Sequence, residues 1–164
     1  MFKLPALENM TREQKYDYMI LSLKNQIIIE QDELAILANS AALLEVFVER
    51  ISWAGYYLLK DGQLVLGPFQ GLPACTRIQV GNGIVGKCAE LRDVILVPDV
   101  YNFEGHIFCD ANSRSEICIP IFQNKELFGI LDIDSSEEDR FDDIDEKYLR
   151  KFIKIIEENL LDLK

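Results

Sequence analysis

Three segments of the chain repeat apolar residues at the three- and four-residue spacing of amphipathic helices. They cover residues 11–29, about 32–50 and about 143–163. Thr11 and Gln14 stand where a capping box would start the first helix. Leu34 and Phe47 belong to the apolar stripe of the second helix and are expected in the core. The pattern therefore predicts helices at both ends of the chain.

The middle of the chain alternates apolar and polar residues as β-strands do. The predicted strands are 51–59, 64–69, 94–97, 116–122 and 127–134, with a short helix at 84–91. Two long segments, 70–83 and 98–115, show no regular pattern, which is typical of functional loops. This order predicts one α+β domain over residues 1–164, with helices at about 11–50, the sheet and its loops at about 51–134, and a last helix at about 143–163. We expect an antiparallel sheet with the terminal helices on one face.

Successive side chains of a strand point to opposite faces of the sheet. The polar and aromatic residues predicted to share one face are Trp53, Tyr57, Glu116, Cys118, Asp132 and Asp134. Leu127, Leu131 and Ile133 share the other face, which is expected to pack on the helices. The three carboxylates are either a solvated face or a partly buried cluster, in which like charges raise the pKa of each group. A buried cluster beside aromatic rings would suit a small ligand that carries an ammonium group.

The position of Glu116 depends on the register of the hairpin formed by the last two predicted strands. A three-residue loop at 124–126 would place Glu116 opposite Asp134 and Cys118 opposite Asp132, on one face. A two-residue turn would shift the pairing by one residue and turn Glu116 toward the apolar face. Because such a slip would turn all the apolar side chains of one strand to the wrong face, the need to bury them should decide the register. We predict the three-residue loop, with all three acids on one face.

The charge of the chain argues against polyanionic partners. Its 17 basic and 28 acidic residues give a formal charge of −11, which disfavours binding to nucleic acid or to anionic membrane surfaces. No apolar run is long enough to span a membrane, and the N-terminal residues do not have the pattern of a signal peptide. We therefore expect a cytoplasmic protein.

Four cysteines are the main candidates for reactive groups, and a reducing compartment would keep them as free thiols. No two form a CxxC pair, so the spacing argues against a zinc site. Cys88 and Cys118 fall in a predicted helix and strand, which favours core packing. Cys75 and Cys109 fall in the long segments. His106 lies three residues before Cys109, and it either lowers the pKa of that thiol or bonds a loop carbonyl.

Six motifs, taken in order along the chain, resemble the free methionine-(R)-sulfoxide reductases, which are single-domain GAF proteins. They are WAGYY at 53–57, LGPFQG at 66–71, ACTRI at 74–78, LVPDV at 96–100, GHIFCD at 105–110 and GILDID at 129–134. The resemblance covers about residues 11–160. It implies a GAF fold, an enzyme acting on the free amino acid, and a homodimer.

The resemblance also implies roles for two thiols. Cys109 would be the nucleophile that becomes a sulfenic acid, and Cys75 would resolve it to a disulfide. Thioredoxin would reduce the disulfide, with NADPH supplying electrons through thioredoxin reductase. Members often have a third cysteine where this chain has Val85, and Cys88 is not an obvious substitute.

The pocket follows from the same resemblance. Glu116, Asp132 and Asp134 would hold the substrate and help to protonate the sulfoxide oxygen, and this chemistry needs neither a metal nor an organic cofactor. Trp53 and Tyr57 would line the pocket around the methyl group. The alternative hypothesis is a GAF module that senses a small ligand without chemistry, since a GAF fold alone does not specify function.

Overall fold

The computed structural model describes residues 3–30, 32–105, 107 and 112–162. Its helices are α1 (Arg12–Ile27), α2 (Glu33–Phe47), α3 (Gly83–Leu91) and α4 (Asp143–Asp162). Its strands are β1 (Trp53–Lys60), β2 (Gln63–Gln70), β3 (Arg77–Gln79), β4 (Ile95–Val97), β5 (Ser115–Gln123) and β6 (Glu126–Ser135). Six antiparallel strands form one sheet in the order β3-β2-β1-β6-β5-β4, so the predicted α+β fold is confirmed.

The helices begin where polar side chains satisfy their first backbone N–H groups. Thr11 accepts a hydrogen bond from the Gln14 backbone at 3.2 Å and donates its own N–H to the Gln14 side chain at 2.9 Å, which confirms the capping box. Asp32 caps α2 by accepting from the Ala35 backbone at 2.9 Å. One expectation for α2 was wrong, because Leu34 is 66% exposed. It stands in the first turn, and helical spacing alone does not show which turns are covered.

Each face of the sheet carries its own apolar cluster. On the helix face, strand residues such as Ile117, Leu131 and Ile133 pack with α1, α2 and α4, as predicted for the terminal helices. On the opposite face, here called the pocket face, Trp53 and Tyr57 pack with other strand residues and with the buried side of α3. The pocket face is therefore partly covered, and polar groups between the sheet and α3 can be shielded from water.

One strand was missed in the sequence. Arg77–Gln79 was assigned to a non-regular segment, yet it pairs with Gln63–Val65 of β2 as the edge strand β3. Only Ile78 of the three residues is buried. Three residues are too short to show an alternation, so long-range pairing specifies this strand.

The hairpin of β5 and β6 has the predicted pairing of Glu116 with Asp134, but its turn is shorter than predicted. Its turn is the two-residue Asn124-Lys125, in which both residues have positive φ (53° and 68°), as a type I′ turn requires. The predicted three-residue loop is therefore wrong. A β-bulge follows, where Ile121 pairs with Gly129 and Phe128 has no opposite residue on β5.

The bulge offsets the shift that the short turn introduces. Beyond it, Cys118 lies opposite Asp132 and Glu116 opposite Asp134, so the predicted placement of these residues on one face is confirmed. Leu127 lies between the turn and the bulge, where the pairing is shifted by one residue and its side chain points to the opposite face from the predicted one. Leu127, which was expected to face the helices, packs instead in the cluster of the pocket face.

Within the described part of the chain, no helix is long and apolar enough to cross a membrane.

Candidate active site

A cavity opens on the pocket face. Its walls come from β1, β5, β6, the segment after β2, and the start of α3. Its lining includes the side chains of Trp53, Tyr57, Glu116, Asp132 and Asp134, with Ser113 and the first residues of α3. Apolar and aromatic side chains with a few convergent polar groups are typical of sites for small molecules. All five pocket residues expected from the sequence therefore lie around one space, although they come from three different strands.

An aromatic wall forms one side of the cavity. The Trp53 ring stacks between Tyr57 and Phe69, with centroid distances of 6.0 and 5.3 Å. The Trp53 indole N–H donates to the Leu72 carbonyl at 3.0 Å, and the Tyr57 hydroxyl donates to the Cys75 carbonyl at 3.0 Å. The wall thus fixes the backbone of the segment that carries Cys75 against the cavity.

A glycine provides the space that the Trp53 ring needs. Gly71 has a φ of +127°, and a β-carbon there would lie 2.5 Å from Cδ1 of Trp53. Only glycine combines this backbone conformation with so close an approach. The LGPFQG motif therefore ends in the residue that allows the indole to lie flat against the chain.

Glu116, Asp132 and Asp134, here called the acid cluster, lie beside the aromatic wall on the same face of the sheet, where Trp53 pairs with Asp134. Glu116 is 4% exposed and Asp132 is 5% exposed, which excludes the solvated-face interpretation for these two acids. Burial raises the pKa of Glu116 well above its ordinary value, and the charges of Asp132 and Asp134 raise it further. Burial also raises the pKa of Asp132, to about 6. Both influences favour the protonated form of Glu116, in which it can donate a proton to a bound molecule.

Two further residues contact the acids. The Ser113 hydroxyl donates to Asp134 Oδ1 at 2.7 Å. The Cys118 thiol lies 3.1 Å from Glu116 Oε1 and 3.4 Å from Asp132 Oδ1. Ser113 had no periodic signal in the sequence. The alternation did place Cys118 on the same face as the acids, and its predicted burial is confirmed, but its contacts with them were not predicted.

The first turn of α3 closes a third side. Asn82, Gly83, Ile84 and Val85 line the cavity, and Ile107 packs against Gly83. The first N–H groups of a helix have no partner within the helix, and they carry the positive end of its dipole. The cavity therefore combines acids on one side with a helix start that suits an anionic group.

The comparisons with known proteins agree with this geometry. The sequence model of the GAF-domain family matches residues 32–159. The free methionine-R-sulfoxide reductase of Escherichia coli is 48% identical over 131 residues, which cover 80% of this chain and 79% of that protein. The chain belongs to the free methionine-(R)-sulfoxide reductase family.

Solved structures of this family superpose closely. The reduced form of fRMsr of Staphylococcus aureus has a TM-score of 0.86 at 46% identity, over 88% of this chain and 94% of that one. The free methionine-R-sulfoxide reductase of Neisseria meningitidis in complex with its substrate has a TM-score of 0.89 at 34% identity, over 99% and 95%. These relatives do not favour the alternative of a non-catalytic sensor.

The three cysteines that the structure describes differ in state. Cys88 and Cys118 are buried free thiols, as expected for core packing. Cys75 takes part in a disulfide bond, so the expectation of free thiols does not hold there. Cys109 and His106 lie outside the described residues, and the roles assigned to them stay predictions. Val85, at the position where members often have a third cysteine, is buried in the cavity wall.

The acid cluster also raises the question of a metal. Ligand atoms of Glu116, Cys118 and Asp132 lie within 4.8 Å of one another. A metal needs its ligands deprotonated, and in the metal-free protein burial raises the pKa of all three groups. The metal-free mechanism stays a prediction.

Proposed function

We propose that this protein reduces free methionine-(R)-sulfoxide to methionine. The observation that supports this most is that one cavity is lined both by the buried Glu116, whose raised pKa favours its protonated form, and by an aromatic wall tied to the Cys75 backbone. A sulfoxide reductase needs this combination, because the reaction requires a proton donor for the oxygen and thiols for the electrons. The named relatives carry out this activity on the same fold.

Recognition of the free amino acid would use opposite sides of the cavity. Its ammonium group would pair with the acid cluster, in which Asp134 is oriented by Ser113. Its carboxylate would approach the N–H groups at the start of α3. The methyl group would lie along Trp53 and Tyr57. A methionine sulfoxide within a peptide lacks both free charged groups, so this arrangement selects the free amino acid.

The chemistry is a two-electron transfer from Cys109 to the sulfoxide sulfur. The Cys109 thiolate attacks that sulfur, and Glu116 protonates the oxygen, which takes a second proton from solvent and leaves as water. A water molecule then attacks the Cys109 sulfur and breaks the bond between the two sulfurs. Methionine leaves with the bonding electron pair, one proton is released, and Cys109 becomes a sulfenic acid. The Cys75 thiol then attacks the sulfenic acid, which forms the Cys75–Cys109 disulfide and releases water. Thioredoxin, recycled by thioredoxin reductase and NADPH, would reduce the disulfide.

A coupled assay tests this proposal. With thioredoxin, thioredoxin reductase and NADPH present, we expect NADPH oxidation with the free (R) epimer. The free (S) epimer and the N-acetylated (R) amide should give no more than the blank rate. Absence of NADPH oxidation with the (R) epimer, while a dithiol reductant in place of thioredoxin also yields no methionine, would refute the reductase assignment.

Replacement of the resolving thiol should separate the first step from recycling. Cys75→Ser should release about one methionine per enzyme in a single turnover and then stop with thioredoxin, since no disulfide can form. Mass spectrometry of the oxidised wild type should find Cys75 linked to Cys109. A dominant link to Cys88 or Cys118, both buried and free in the structure, would disprove this pairing.

The homodimer, the single-domain organisation of residues 1–164 and the cytoplasmic location stay predictions.

A further inference from the structure

We infer that Cys118 is a positioning residue, whose thiol holds Glu116 and Asp132 in the orientation that faces the cavity. The inference deepens the proposed function, since it concerns how the acid cluster of that site is built. Cys118 lines no part of the cavity wall and is 0% exposed, so it cannot react with a substrate there. Its contribution must pass through the residues it touches.

The position of Cys118 follows from the sheet. It lies two residues after Glu116 on β5, so the two side chains share a face, and it lies directly opposite Asp132 on β6. Its sulfur is therefore within hydrogen-bond distance of both carboxyl groups, at 3.1 and 3.4 Å. A thiol has one hydrogen and is a weak donor. It can donate to one carboxyl group at a time, and the strand pairing places both groups within its reach.

The Cys118 thiol and burial have opposite effects on the pKa of Glu116 and Asp132. A hydrogen bond from the thiol favours the charged form of either carboxyl, which lowers its pKa, whereas burial raises the pKa of both. Among the residues that the structure describes, the other titratable groups that face the pair are Asp134 on β6, Tyr57 on β1 and Cys88 on α3. The charge of Asp134 opposes ionisation of Glu116, and burial keeps the Tyr57 phenol and the Cys88 thiol neutral.

Carboxyl ¹³C NMR titration of the whole protein measures this effect without substrate. Cys118→Ala removes the donor, so the titration midpoint of the Glu116–Asp132 pair should rise by roughly half a pH unit, the size expected for one weak hydrogen bond. Cys118→Ser supplies a hydroxyl donor and should keep the midpoint at or below the wild-type value. Cys118→Val fills the space without a donor and should behave as the alanine variant does.

Cys88→Ala is the matched control. Cys88 is also a buried free thiol of the pocket-face cluster, but its thiol contacts the Asp93 carbonyl at 3.2 Å instead of an acid. Its replacement should leave the midpoint unchanged. In the coupled assay, the alkaline limb of the kcat/KM profile should move upward in Cys118→Ala and Cys118→Val only.

Three results would overturn the inference: a wild-type midpoint in Cys118→Ala and Cys118→Val, an equal shift in Cys88→Ala, or a serine variant that titrates as the alanine variant does. Because the NMR titration needs no turnover, it decides the role of Cys118 even if the reductase assay fails. A silent assay with the expected midpoints would refute the proposed substrate and support the positioning role.

Discussion

Cys109→Ser should abolish turnover of free methionine-(R)-sulfoxide, with a loss of roughly three orders of magnitude or more. The serine hydroxyl is almost never ionised near neutrality, and an oxygen nucleophile cannot form the sulfenic acid that the disulfide step requires. Steady-state NADPH oxidation and direct quantification of methionine would measure the loss.

Controls can distinguish this loss from unfolding. Under reducing conditions, in which the wild type also lacks the proposed Cys75–Cys109 disulfide, thermal denaturation of Cys109→Ser should match that of the wild type, since the substitution exchanges one atom. Cys88→Ala removes a thiol from the same protein and should retain most activity. Multiple turnovers by Cys109→Ser would show that another group is the nucleophile.

Glu116→Gln should lower kcat/KM by roughly 100-fold or more while making the fold more stable. The amide keeps the size of the side chain but cannot give a proton to the sulfoxide oxygen. Asp134→Asn should weaken the reaction mainly through KM, because it removes a negative charge expected to pair with the substrate ammonium. Near-normal kinetics in both variants would show that the acid cluster takes no part in the reaction.

The stability of Glu116→Gln follows from the direction of the pKa shift. An unfolded glutamate has a pKa of about 4.3, and burial raises the pKa of Glu116 in the folded protein. The folded state therefore binds more protons, and its free energy of unfolding falls as pH rises from the unfolded toward the folded pKa. Glutamine does not ionise, so the variant should exceed the wild type in melting temperature at neutral pH. The two melting temperatures should match most closely below about pH 4, where glutamate is protonated in the unfolded chain as well.

Glu116 should also make kcat/KM of the wild type fall at alkaline pH, which gives the pH profile an alkaline limb. A general acid must hold its proton, so kcat/KM should fall as pH rises through the raised pKa of Glu116. Glu116→Gln should lack that limb in its residual activity.

Local chemistry made much of this site predictable from the sequence. Thr11 and Gln14 specify a helix start through contacts three residues apart, and strand alternation alone places Asp132 and Asp134 on one face. The resemblance of six motifs added the roles of the thiols. These features need only neighbouring residues or a known pattern.

The features that were missed depend on distant partners. Ile78 looks like one isolated apolar residue until β2 lies beside it, and Leu127 changes face because of a bulge that no alternation reveals. Ser113 meets Asp134 only when β6 runs beside the segment that leads into β5. A local pattern cannot report a contact made by residues far apart in the chain.

The length of the β5–β6 turn decides on which face of the sheet the acid cluster lies. Surface turns commonly accept insertions and deletions, yet between Asn124 and the bulge at Phe128 each single-residue change would exchange the two faces of β6 relative to β5. Asp134 lies six residues beyond Phe128, roughly 20 Å along the strand. We therefore expect changes in length at this turn to be tolerated only in even numbers, or when the bulge changes with them. A stretch of chain that does not line the cavity thus constrains how this family can vary.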